Sequence, residues 1–230
     1  MNWKGKNSRM NKGKFIVIDG ADGSGKKTQT DLLIKKLKSQ KKKAVMFDFP
    51  QYDKFFGKLV KRYLSGEFGG LNEVDAHLAS VLYAADRWQA KDEIEKYLNN
   101  GYIVISNRYA ESNMTHQTAK IKSPKKQKEF LKFLDEMEFQ NFQIPRADLV
   151  VYLDVPVDIG QKLIKKRGDI SHKVDIHENN IGYLKATQNQ YRKLCASNRH
   201  WKKIECTQRN EILSREKIAE KVWQVVKKII

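Results

Sequence analysis

Residues 20–28 read Gly-Ala-Asp-Gly-Ser-Gly-Lys-Lys-Thr. The spacing G-x-x-x-x-G-K lets a chain wrap a polyphosphate. Gly20, Gly23 and Gly25 allow backbone N–H groups to turn inward, Lys26 reaches the outer phosphates, and a following helix adds its positive end. Asp22, Ser24, Lys27 and Thr28 complete the candidate nucleotide-phosphate site. Chance alone yields the bare pattern roughly once in ten chains of this composition. The pattern therefore counts only because an apolar strand (KFIVID) precedes it and a helical pattern follows. One position departs: Lys27 stands where a Ser or Thr hydroxyl would touch Mg²⁺. That leaves Thr28 to meet an α-phosphate from the first helical turn.

Other chemistry-bearing residues follow later strands. Phe49 and Tyr52 come after the second, in F-P-Q-Y. Tyr83 and Arg87 are spaced i, i+4 and so share one helix face. An aromatic ring and a guanidinium there can stack on a base and bond its carbonyl edge; a core Tyr beside a surface Arg is the competing reading. Arg108 stands just past the third strand, where a cation can meet phosphate. Lys165, Lys166, Arg167 and Lys173 form a basic stretch, for which a solvated helix end is the competing reading.

These residues need a scaffold that brings strand ends together. Near-continuous apolar runs at 14–19, 43–49, 102–106, 148–154 and, more weakly, 201–206 predict strands covered on both faces. Helical patterns at 26–39, 55–65, 74–99, 125–138, 157–166, 180–197 and 212–229 alternate with them. The expectation is an α/β chain with a doubly wound, five-stranded parallel sheet surrounded by helices. Ligands of such sheets bind beyond the carboxyl ends of the strands, where the motifs lie. The 230 residues suit a single domain over 14–230, preceded by a basic, flexible arm over 1–13. No apolar run approaches a membrane span and no secretory signal is visible. Cys195 and Cys206 match no metal spacing, so reduced thiols and a cytoplasmic setting are expected.

The charge points another way at first. Lys and Arg number 45 against 27 Asp and Glu, a formal net charge of +18. Such an excess suits nucleic acid. The lysines cluster, however, at 35–43 and 120–128 without the interleaved aromatic residues of an RNA-binding motif. Nucleic acid is not the expected partner.

In their order along 15–206, the loop D-G-x-G-K-x-T, F-P-x-Y, G-E-F-G, Y-x-x-x-R, R-Y-x-x-S-N, P-x-x-D-L-V and a basic lid resemble the thymidylate kinase family, P-loop nucleoside monophosphate kinases. The resemblance implies transfer of the γ-phosphoryl group of ATP to dTMP, with Mg²⁺ accompanying ATP, and a homodimer. It gives Lys26 the transfer site and sets Arg108 between donor and acceptor phosphates. It places Asp22 and Tyr52 near the acceptor sugar and phosphate, and Tyr83 and Arg87 on thymine. Phe49, Asn113, His116 and Gln117 complete the acceptor side. A mobile lid is implied over 162–180, with Arg167 as its catalytic arginine, because Gly23 fills the loop position where some members carry that charge. Asp22 and Glu178 are the implied metal contacts. Asn107 replaces the usual Asp before Arg108, Gln51 an occasional Arg, and His116 a Tyr found in some members. A kinase of broader acceptor range, or a weakly catalytic P-loop protein that binds nucleic acid, stays open as an alternative.

Overall fold

The computed structural model describes residues 12–166 and 180–230. Five strands form one parallel sheet: β1 (Lys14–Gly20), β2 (Ala44–Asp48), β3 (Ile103–Asn107), β4 (Leu149–Asp154) and β5 (Trp201–Glu205), in the order β2-β3-β1-β4-β5. The order reverses at β1, so a crevice opens where its chain leaves the sheet. Alternation along β1 explains why its sequence is apolar throughout. Ile16 and Ile18 face one core with Leu33, Leu37 and Val222. Phe15 and Val17 face the other, with Ile94, Val104 and Tyr191.

The first core is covered by α1 (Lys26–Ser39), α7 (Val157–Lys166) and α9 (Arg215–Val226); the second by α4 (Lys91–Asn99), α5 (Ala110–His116) and α8 (Ile181–Ser197). Outside them lie α2 (Phe55–Leu64), α3 (Ala76–Trp88) and α6 (Pro124–Asp135). Caps set several of the starts. Asp75 accepts from His77 N, Ser123 from Lys126 N just ahead of Pro124, Asn180 from Tyr183 N and Ser214 from Lys217 N.

Three expectations need correction. The helix read over 74–99 is two helices, α3 and α4, broken at Gln89 and Ala90. The break lets α4 lay Ile94 and Leu98 on the sheet while α3 packs against α2 and α5. The helix read over 125–138 gives way to a π-helical turn, Glu136–Asn141. The last helix starts at Arg215 rather than 212, because Glu211–Ile212 pairs with Thr207–Gln208 in a hairpin whose turn residues, Arg209 and Asn210, both have positive φ. Helix α5, which follows Arg108, was not anticipated. Of the expected arm, residues 1–11 lie outside the described residues, while Gly13 N donates to Leu98 O at 2.7 Å.

Helix α5 carries an unusual core group. Glu111 is buried and its Oε2 has no hydrogen-bond partner. Burial, reinforced by the charges of Asp19 and Glu138, pushes its carboxyl up to about 8. The folded chain keeps this proton between the ordinary carboxylate range and about pH 8, whereas the unfolded chain releases it. Stability from this group is therefore full at low pH and declines as pH rises toward 8. Glu111→Gln should flatten that decline, so its melting temperature should overtake the parent's between pH 5 and 8.5. Parallel melting curves across that range would exclude a protonated Glu111.

Candidate functional site

The loop between β1 and α1 is shaped by its glycines. Gly23 and Gly25 have φ of 77° and 83°, a region that favours glycine. Gly23 is constrained in a second way. A Cβ there would stand 2.3 Å from the carbonyl oxygen of Gly160 in α7. No side chain fits, which gives a physical reason why this loop carries no arginine at that position. Helix α1 begins without a side-chain cap or an acidic residue in its first turn, so its N-terminal field is not neutralised there. Ser24 Oγ is buried on the loop without a partner.

Lys26 crosses this loop. Its Nζ donates to Gly20 O at 3.0 Å and Ala21 O at 2.9 Å, and lies 3.6 Å from Asp22 Oδ1. Burial, and then the charge of Arg108, lower its ammonium to about 8. Lys27 points outward and pairs with Asp31 at 3.4 Å. Thr28 is half-buried in the first turn.

Arg108 leaves β3 with a φ of 63°. Its backbone N donates to Ile18 O, holding it beside β1. Its guanidinium pairs with Asp22 and reaches Ser112 Oγ at 3.4 Å and His116 Nε2 at 3.5 Å. Burial is the largest influence and opposes its charge, but Asp22 together with Tyr191, Asp19 and Tyr52 outweighs it, and the pKa is raised. Ser112 in turn donates to Asp19, which also accepts from Tyr191 OH and Gly20 N, each at 2.8 Å. One carboxylate thus ties β1, α5 and α8 together under the loop.

Every residue expected on the acceptor side borders a single cleft beyond β1, β2 and β3. Asp22, Arg108 and His116 lie on it, as do Phe49, Tyr52 and Tyr83, and so do Arg87, Asn113 and Gln117. Arg87 is almost wholly buried, which removes the reading of a surface arginine. Its Nε donates to Glu138 Oε2 at 3.0 Å, its Nη2 pairs with Oε1, and its Nη1 reaches Tyr109 O at 3.4 Å. Tyr83 stands edge-on to Tyr63 with ring centroids 6.0 Å apart. Buried Asn113 Oδ1 and Gln117 Oε1 have no partners. His116 Nδ1 is 3.2 Å from Tyr183 OH, and Tyr183 OH donates to His116 O at 3.1 Å. This network fits an Nδ1–H tautomer.

Four contributors escaped the sequence reading. Glu138 is one; its signal was an acid on the apolar stripe of Phe130, Leu134 and Met137. Asp86 is another: it accepts from Gln51 N at 3.0 Å and so holds the turn between Phe49 and Tyr52. Ser112 stands in the R-Y-x-x-S-N segment but has no role assigned there, and Tyr183 carries no motif of its own. Arg167 and Glu178, with Lys173, fall outside the described residues.

Among the described residues no group of three or more His, Cys, Asp or Glu assembles as a metal cage. Asp22, expected as a metal contact, pairs with Arg108 and lies 3.6 Å from Lys26 Nζ. Oxygen donors lie at the end of β3: Asn107 Oδ1 is buried and unpartnered, and Asn107 Nδ2 donates to Asp48 at 2.7 Å. Such a sparse set suits a hydrated Mg²⁺ carried mainly by phosphates.

A phosphate loop after β1, this strand order and a cationic cleft running on to a polar, aromatic pocket define a P-loop kinase of the class that phosphorylates nucleotides. The family model for thymidylate kinase matches residues 18–218. The chain is 32% identical to the thymidylate kinase of Schizosaccharomyces pombe over 191 residues, 80% of this chain and 81% of that one. It is 37% identical to a probable thymidylate kinase of Pyrobaculum aerophilum, covering 67% and 71%. The solved thymidylate kinase of Candida albicans shares the fold at a TM-score of 0.72 and 20% identity, over 94% and 92% of the chains. This chain belongs to the thymidylate kinase family.

The state of Lys26 sets a pH dependence. Polyphosphate binds the ammonium form, so above about pH 8 binding must first take up a proton. ADP affinity, measured by calorimetry, should be level from pH 7 to 8 and then fall, approaching tenfold per pH unit. In Lys26→Met the affinity should be weak and the slope lost. A parent slope that survives in the variant would assign the titration elsewhere.

Proposed function

We propose that this chain transfers the γ-phosphoryl group of ATP to dTMP, giving ADP and dTDP. The observation that carries the reading is the Asp22–Arg108 pair, which links the phosphate loop to the pocket holding Arg87 and Asn113. Donor phosphates take the loop amides, Ser24, Lys26 and Thr28. The acceptor's thymine takes Arg87, Asn113 and Gln117 at its polar edge, with Phe49 and Tyr83 against its faces. Tyr52, His116 and Asp22 lie toward its sugar and phosphate.

An oxygen of the acceptor phosphate forms the new bond to the γ-phosphorus while the bond to the bridging oxygen of ADP breaks. The acceptor is already ionised at neutral pH, so no strong general base is needed. Catalysis is then positioning and charge stabilisation. Arg108, fixed at the edge of both subsites, offsets repulsion between the two phosphate groups. Arg167, in the lid proposed over 162–180, supplies further positive charge. Mg²⁺ accompanying ATP would neutralise donor oxygens; Asp22 and Glu178 are the candidate contacts, and Asn107 with Asp48 would be candidates to hold its waters.

No helix among the described residues is long and apolar enough to cross a membrane. Two free thiols, Cys195 half-buried and Cys206 buried, agree with a cytoplasmic location. A homodimer is supported by the outer face of α3, where Leu78 is 59% and Trp88 50% exposed, with Val81 beside them.

An ADP-release assay across acceptors tests the main reading. dTMP should be the preferred substrate; turnover with dCMP or dGMP exceeding that with dTMP would replace it by a kinase of broader range. Tight duplex DNA binding without turnover would replace it by the nucleic-acid reading. Arg108→Ala should lose at least about hundredfold in kcat with an unchanged circular dichroism spectrum, and near-normal turnover would refute its role. Leu78→Glu should convert the dimer to a monomer by light scattering; an unchanged mass would move the interface off α3.

A further inference from the structure

We propose that Glu138 is a positioning residue that sets base selectivity, because it fixes which atom of Asn113 faces the acceptor pocket. This rests on the acceptor reading given above and adds a residue to it. Glu138 is fully buried on the π-helical turn that ends α6. Its carboxylate is acceptor-only, and it receives Arg87 Nε and Nη2 together with Asn113 Nδ2 at 3.0 Å. Asn113 Nδ2 also donates to the carbonyl oxygen of Ser80 at 3.1 Å. Both amide hydrogens are therefore committed to acceptors. Rotating the amide by a half-turn would set Oδ1 against two acceptors and leave both N–H bonds unmade, in a buried place where that is costly.

The amide is consequently locked with Oδ1 inward. Asn113 borders the cleft, and its Oδ1 is buried with no protein partner. Arg87 is locked by the same carboxylate. Its Nε–H and one N–H of Nη2 go to Glu138, and one N–H of Nη1 goes to Tyr109 O, which leaves two further N–H groups. The pocket thus presents a fixed acceptor and a fixed donor from one anchoring point. That pair matches an imide edge, an N–H beside a carbonyl, as in thymine or uracil. It mismatches cytosine, whose ring nitrogen accepts and whose amino group donates. A site built on such bonds rejects the mismatched base because its own buried groups would go unpaired.

The test changes the polarity of the anchor with little change in shape. Parent turnover on dTMP is measured first, so that failure of the acceptor reading shows separately. In Glu138→Gln the new amide can donate, which permits Asn113 to turn its NH₂ into the pocket. The ratio of kcat/KM for dTMP to that for dCMP should fall at least tenfold, chiefly through KM for dTMP, with kcat little changed. Glu138→Asp, which keeps an acceptor-only carboxylate, should retain the parent's preference even if both substrates bind less well. A folded Glu138→Gln protein that loses both activities in equal proportion would reduce Glu138 to a structural ion-pair partner and overturn the proposal. Should that variant not fold, Asn113→Leu gives the decision. Loss of the dTMP preference supports a fixed reading oxygen, and an unchanged ratio overturns it.

Discussion

A cation can stay charged out of water only beside a partner that compensates for lost hydration. Three stand in or beside one cleft here: Arg87 and Arg108 on its wall and Lys26 behind Asp22, all nearly excluded from solvent or largely so. Each has a different solution. Arg87 receives a full carboxylate fork from Glu138, and Arg108 pairs with Asp22. Lys26 receives mainly loop carbonyls and a longer contact to Asp22, and its ammonium is the one weakened by burial. Strand ends, helix starts and the π-helical turn are arranged around these requirements. Asp19 sits beneath them and is satisfied by Gly20 N, Ser112 and Tyr191, so the loop above it rests on a fixed base.

The parts legible in the sequence were those with a local cause. Strands β1, β3 and β4 are apolar on both faces, and the stretches 26–39 and 157–166 carry enough period to be placed at the observed ends of α1 and α7. The phosphate loop announces itself through glycine spacing. Tyr83 and Arg87 were legible as a pair because i, i+4 spacing is a property of one helix. What stayed hidden depends on distant chain segments. The break at Gln89 exists because α4 must reach the sheet, and neither Gln89 nor Ala90 is a helix breaker. Glu138 lies 51 positions from Arg87, and nothing local distinguishes it from a solvent-facing acid except its place on an apolar stripe. Asp86, next to Arg87, reads as a surface residue until Gln51 folds over it.

The excess positive charge divides by place. α1 runs about 21 Å from the phosphate loop, so the lysines at its far end and those just before β2 belong to the opposite edge of the sheet. Some have local partners: Lys36 pairs with Glu220 and lies over Trp223, and Lys43 lies over Tyr102. Lys120 reaches Tyr63 OH at 2.7 Å, beneath Tyr83. The phosphate-handling cations of the described cleft are few, and most of the +18 is a property of the outer surface.

The contact between Gly23 and Gly160 constrains how this sequence can drift. A side chain at 23 collides with the backbone of α7, and one at 160 would stand 2.8 Å from Asp22 O. Neither clash can be relieved by trimming the other residue, since both already lack a side chain. Relocating a cation into the phosphate loop would require α7 to shift away first. α7 contributes Ile159 to the main core, so that shift would disturb packing before any catalytic gain appeared. No single substitution leads from one arrangement to the other. In a lineage with this pair of glycines, the choice of where the loop's extra charge comes from is effectively irreversible.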